Sequence, residues 1–172
     1  MEKKIILKGH KGIGGVAEGE ALVCQEPVNL MADTGNVWTN LKDTTFTNRV
    51  GTPSVYGKSF AGKVLVFPTG KGGIFSTNIM MDVATVGATP KAIVNVMTHP
   101  VWAALAIVLN IPLVDRLDKN PCEVIETGDW VRVDARKGTV EVTKKGAAKK
   151  QAAKKGTAKK GAPKRGAVKK KA

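Results

Sequence analysis

The stretch Gly62-Lys63-Val64-Leu65-Val66-Phe67-Pro68-Thr69-Gly70-Lys71-Gly72-Gly73 decides the fold. An unbroken apolar run closed by proline is the pattern of a strand covered on both faces, as in a parallel sheet. The glycine-rich loop Thr69 to Gly73 follows, and a helix is expected from about Ser76 to Val86. Gly87-Ala88-Thr89-Pro90 supplies its stop signal. Working outward, Ala92 to Val96 reads as a strand, and Pro100 to Leu109 as a helix with proline in its first turn. Pro112 to Val114 reads as a short strand. Crossovers of this kind favour parallel pairing in the middle of the chain.

The two ends read differently. Residues 4–8 and 16–24 are strand-like, and the second places Glu18 and Glu20 on one face and Ala17, Gly19 and Ala21 on the other. Asp129 to Val133 and Thr139 to Val142 alternate around a turn at Arg136-Lys137-Gly138, which predicts a hairpin. Residues 29–61 are polar and rich in Thr, Asn and Gly, an irregular stretch. The expected fold is therefore a mixed α/β domain, barrel-like because hairpin strands flank the crossover unit.

Composition sets the limits. At 172 residues and 42% hydrophobic content the chain can bury one ordinary core. Its net charge of +14 is unevenly spread: residues 144–172 hold 13 Lys/Arg and no acid, whereas residues 1–143 hold 15 Lys/Arg against 14 Asp/Glu. Basic pairs recur every five residues in that tail, a period that gathers charge on no face of a helix or strand. The expected division is a folded domain over 1–143 and a disordered lysine- and alanine-rich tail over 144–172. No run reaches the roughly 20 apolar residues of a membrane span, and the apolar run after Met1 is too short for a signal peptide. A cytoplasmic protein without a membrane partner is expected. Cys24 and Cys122 sit in no CxxC pattern, and His10 and His99 add no ligand-spaced partner, so free or buried thiols are expected and no metal site in this chain. His99, before Pro100, reads as a helix-capping or surface histidine.

The chemistry, if this chain carries any, belongs at Thr69, Gly70, Lys71, Gly72 and Gly73. Glycines let backbone approach a ligand, a following helix start offers N–H groups and the positive end of a dipole, and Lys71 adds a full charge. That combination suits a carboxylate or phosphate, with a tight structural turn as the other reading. The spacing is neither that of a P-loop nor that of a dinucleotide fold.

Several segments together, in order, carry a resemblance. They are Val16–Val23, Ala61–Pro68, Gly70-Lys71-Gly72, Ala88–Asn95, Ile111–Val114 and Thr127–Asp134. In these the chain closely resembles the aconitase X swivel-domain family. The resemblance implies a swivelling β/β/α domain, the small subunit of a hydro-lyase that dehydrates a hydroxy acid. It also implies a large subunit as partner, holding an iron or iron–sulfur centre and most contacts to a small acidic substrate, and no cofactor in this chain.

The family's base is a serine just after the glycine-rich loop, and here this chain departs. Gly73 stands in the serine's place, and Ile74 and Phe75 replace small polar residues. Ser76 is the nearest hydroxyl that would replace the base; it would equally serve as an N-cap. Residues 29–60, with Trp38, Phe46, Arg49 and Tyr56, look longer than the family's link and either rebuild a binding surface or pack on their own domain. Thirteen positive charges on residues 144–172 either hold nucleic acid without regard to sequence or serve as a solvated, solubilising extension. The alternative function is thus a non-catalytic binding module tethered to nucleic acid by that tail.

Overall fold

Val64–Phe67 forms the central strand, and all four of its residues are buried. The structure, a computed structural model, describes residues 4–145. In chain order its strands are β1 (Ile5–Lys8), β2 (Val16–Val23), β3 (Val64–Phe67), β4 (Ala92–Asn95), β5 (Leu113–Val114), β6 (Trp130–Asp134) and β7 (Thr139–Thr143). Its helices are α1 (Leu30–Asp33), α2 (Phe75–Thr85), α3 (Pro100–Val108) and α4 (Pro121–Val124).

The strands form one sheet in the order β1-β7-β6-β2-β3-β4-β5. One half is antiparallel, from β1 through β7 and β6 to β2. The other is parallel, from β2 through β3 and β4 to β5. Helices α2 and α3 make the crossovers that parallel pairing requires. The segment between β1 and β2 reaches back to β5: Ile13 donates to the Leu113 carbonyl at 3.0 Å and Leu113 donates back at 2.9 Å. This single bridge draws the two ends of the sheet together, in keeping with the expected barrel-like form.

Alternation along β3 separates two cores. Val64 and Val66 point into the barrel with Leu7, Val131, Val133 and Val140. Leu65 and Phe67 point the other way, under Ile79, Met80 and Val83 of α2 and Trp102 and Leu105 of α3. Both long helices end on the same hydrogen-bond pattern. After α2, Gly87 and Ala88 donate to Ala84 and Val83 (3.1 and 3.2 Å), and after α3, Asn110 and Ile111 donate to Ile107 and Ala106 (3.3 and 3.0 Å). Each pair is the Schellman arrangement that satisfies the last carbonyls.

The strands and long helices lie within about two residues of the sequence expectation, whereas residues 29–61 hold more structure than expected. They contain α1 and two single-turn 3-10 helices, Gly35–Trp38 and Pro53–Val55. Leu30, Val37, Phe46, Val55 and Phe60 are buried in the helix-side core, and Phe46 meets Phe60 edge-on at 6.0 Å. Of the two readings for this excursion, packing on its own domain is the one observed. Trp38 and Tyr56 remain exposed, with Arg49 over the Tyr56 ring at 5.6 Å. The buried carboxylate of Asp33 organises the excursion: it accepts from the Asn29 main chain at 2.7 Å and from Asn48 Nδ2 at 2.8 Å.

The tail falls largely outside the described residues. Its first two residues are described, and they belong to the folded body. Lys144 Nζ donates to the Val124 carbonyl at 2.9 Å and pairs with Glu126 and the buried Asp129 at 2.9 and 3.1 Å. Lys145 donates its main-chain N–H to Asp129 Oδ1 at 2.9 Å. Both lysines, which the sequence reading assigns to the tail, are thus held against the folded body by a buried carboxylate.

Candidate functional site

The loop Thr69–Gly73 leaves the C-terminal end of β3 and enters α2, at the sheet edge where open α/β folds place ligands. Two walls hold it. On one side Val28 pairs with it as a short parallel bridge: Val28 donates to the Thr69 carbonyl at 3.1 Å, and Lys71 donates to the Val28 carbonyl at 2.9 Å. On the other side the indole of Trp102 lies against Gly70, and that ring rests on Phe67 at 4.6 Å. Trp102 is fully buried and its N–H has no acceptor among the described residues.

The three glycines have different reasons to be glycine. A Cβ at Gly70 would run into the Trp102 indole. Gly72 has φ +95°, and a Cβ there would lie 2.5 Å from Asn29 Nδ2. Gly73 meets nothing within 4 Å, so neither its neighbours nor its backbone forbids a side chain. Nothing in the fold therefore excludes a serine at Gly73.

Lys71 is exposed at the loop crest, where its charge is free to meet an anion. Beside it, Gly72, Gly73 and Ile74 donate to no main-chain acceptor among the described residues. Ile74 and Phe75 are 69% and 61% exposed, an apolar rim where polar residues would be solvated.

Ser76 does not cap α2. The cap position falls to Ile74, which makes no side-chain cap bond, and Ser76 lies inside the first turn, 2% exposed. Its hydroxyl donates to Asn29 Oδ1 at 3.3 Å. The loop reaches α2 without a polar cap because Asn29, from α1, takes the hydroxyl inward. Sequence reading missed Asn29; its only local signal is a polar residue before a short apolar run, where it caps α1 by accepting from Met31 N–H at 3.1 Å.

His99 is the N-cap of α3, its Nδ1 accepting from Val101 N–H at 3.3 Å, as a capping histidine should. Its Cβ flanks Gly70. Beyond it lies a cleft of about 350 Å³ between Lys11, Ile13, Thr98, Pro100, Ala103 and Asp115. The Asp115 carboxylate in that cleft accepts from Thr98 N–H at 3.0 Å.

Among the described residues no group of three or more His, Cys, Asp or Glu is placed to hold a metal ion. The two thiols do not fit one either. Both are buried and free. Burial pushes Cys24 up to about 12 and Cys122 up to about 11, against an ordinary value of 9.0, whereas metal binding needs thiolate. No described helix is long and apolar enough to cross a membrane.

Comparison with known proteins matches this geometry to a family. A sequence profile described as the aconitase X swivel domain matches residues 6–142. The phosphomevalonate dehydratase small subunit of Methanosarcina acetivorans is 38% identical over 149 residues, covering 84% of this chain and 96% of that protein. The protein of the same name from Thermococcus kodakarensis is 35% identical over 144 residues, covering 81% and 98%. The crystal structure of Thermococcus kodakaraensis aconitase X in its holo-form superposes with a TM-score of 0.71 at 34% identity, covering 81% of this chain and 99% of that one.

Proposed function

The chain belongs to the aconitase X swivel-domain family, and from that membership we propose that it is the small subunit of a phosphomevalonate-type dehydratase, acting with a large catalytic subunit. The observation that carries this reading is coverage: the small subunits it resembles are matched over 96% and 98% of their own length. The exposed apolar pair Ile74 and Phe75 at the mouth of the loop supports the same reading, since such a rim suits a face that closes against a partner.

The family is one of iron-dependent hydro-lyases. Because the described residues of this chain offer no cradle for iron, we assign that centre to the large subunit. The reaction is loss of a proton α to a carboxylate and of the hydroxyl on the next carbon, leaving an α,β-unsaturated acid and water. This chain's share is binding and closure. Lys71 and the N–H groups of Gly72 and Gly73 hold a carboxylate or phosphate, aided by the dipole of α2, and closure excludes water around them. Ser76 is the nearest hydroxyl on this chain, but as a base it would have to turn away from Asn29, and the buried, engaged hydroxyl favours a structural role. The test is co-expression with an aconitase X-type large subunit, followed by assay with phosphomevalonate for ultraviolet absorbance of the unsaturated acid. Activity is expected from the complex and from neither chain alone; a fully active small chain, or no complex, overturns the reading.

A second reading concerns the tail and rests on its 13 positive charges without an acid. Residues 144–172 would bind nucleic acid through phosphates alone, so affinity for a random DNA duplex should fall steeply with salt and disappear when residues 146–172 are removed.

A further inference from the structure

We infer that Asn29 is a positioning residue for the anion loop, setting the crest of Thr69–Gly73 through contacts that its role as a helix cap does not require. The inference rests on the proposed reading of that loop. Three observations converge. Asn29 Oδ1 accepts from the Ser76 hydroxyl at 3.3 Å as well as from Met31 N–H at 3.1 Å, so one oxygen ties the starts of α1 and α2 together. Its Nδ2 packs directly on Gly72, whose φ of +95° turns the chain so that Lys71 stands outward. Its neighbour Val28 holds the same loop by two main-chain hydrogen bonds, 3.1 and 2.9 Å long.

The side chain is itself fixed from behind. The Asn29 main chain donates to Asp33 Oδ2 at 2.7 Å, and its carbonyl accepts from Asp33 N–H at 2.8 Å. Asp33 in turn is buried and bound by Asn48 Nδ2 at 2.8 Å. A residue locked in this way cannot follow the loop if the loop moves; the loop must conform to it. The irregular excursion thereby bears on the site, although none of its exposed aromatic residues is needed for the effect.

Two substitutions separate positioning from capping. Asn29→Ser keeps a good N-cap for α1 but is too short to reach Ser76 or cover Gly72. Asn29→Asp keeps both acceptor positions and loses only the Nδ2 donor. In the full-length chain, Asn29→Ser should leave Tm within a few degrees yet speed hydrogen exchange of the Lys71 amide about tenfold, the factor for one lost hydrogen bond. Asn29→Asp should restore slow exchange. In the two-subunit complex, Asn29→Ser should raise KM for phosphomevalonate about tenfold and change kcat much less, the signature of weakened ground-state and transition-state binding alike. Wild-type exchange at Lys71 in Asn29→Ser overturns the inference whatever the activity. Faster exchange with an unchanged KM supports the positioning role and removes the loop from substrate binding instead.

Discussion

Gly70 lies against the indole of Trp102, leaving no room for a side chain between the Thr69–Gly73 loop and α3. A methyl group at Gly70 must displace a buried ring that also packs on Phe67 at 4.6 Å. At Gly72 it must adopt φ +95° and push into Asn29. Overpacking and an unfavourable backbone region each cost roughly 1–3 kcal/mol. Gly70→Ala and Gly72→Ala should therefore each lower Tm by several degrees, and Gly73→Ser should leave it within about 2 °C. Thermal melts of the three variants check this; equal losses at all three positions would mean that the loop is not held as described.

How much of this was legible in the sequence follows from the range of each interaction. The strand at 64–67 and the helix stop at Gly87 depend on neighbouring residues, and pattern alone locates them. The bridge that draws the sheet ends together pairs Ile13 with Leu113, yet hairpin ends around a crossover unit pointed to it. The bond from Ser76 to Asn29 spans 47 positions, and nothing local marks it. Ser76 therefore read as a cap or a base while the structure buries it. Lys144 and Lys145 were hidden in another way. They are the first beats of a repeat whose other members are indistinguishable in sequence, and only the buried Asp129 sets them apart.

Lys71 and Ser76 should separate in the assembled enzyme. On the proposed reading Lys71 holds ground and transition states alike, so Lys71→Ala should raise KM for phosphomevalonate about tenfold or more with kcat little changed. Ser76 has its proton engaged by Asn29 and is 2% exposed. Its alanine variant should lose ~1 kcal/mol of stability while keeping kcat. A fall in kcat of about 100-fold would instead make Ser76 the general base.

The two thiols should be inert in the folded chain. Desolvation pushes Cys24 up to about 12 and Cys122 up to about 11, so the thiolate is scarce at neutral pH. Titration with a thiol-specific disulfide reagent at pH 8 should find neither cysteine until denaturant is added. The sign for stability follows from the raised values: the contribution is complete below the ordinary value of 9.0 and is lost as pH climbs through about 11 and 12. Rapid native labelling of either cysteine would show that the core around β2 and α4 opens readily.

The sharpest prediction is the place where the chain can be cut. Asp129 is fully buried, and its carboxylate is satisfied by Glu126 N–H at 3.0 Å, Lys145 N–H at 2.9 Å and the Lys144 ammonium at 3.1 Å. Burial alone would lower the Lys144 pKa, but its hydrogen bonds and charge contacts with Glu126 and Asp129 outweigh this and hold it above the ordinary 10.5. The pair thus contributes below that value and weakens as pH rises beyond it. A chain ending at Lys145 keeps all three partners, so removing residues 146–172 should leave Tm within a few degrees. A chain ending at Thr143 keeps the Glu126 N–H but removes both lysines from the buried carboxylate, and stranding such a charge costs on the order of 3–5 kcal/mol. Its Tm should fall by roughly 5–15 °C. Asp129→Asn in the Thr143-ended chain should recover part of the loss, because a neutral amide no longer needs the ammonium. Equal melting temperatures for the two truncations would place the end of the folded domain before Lys144.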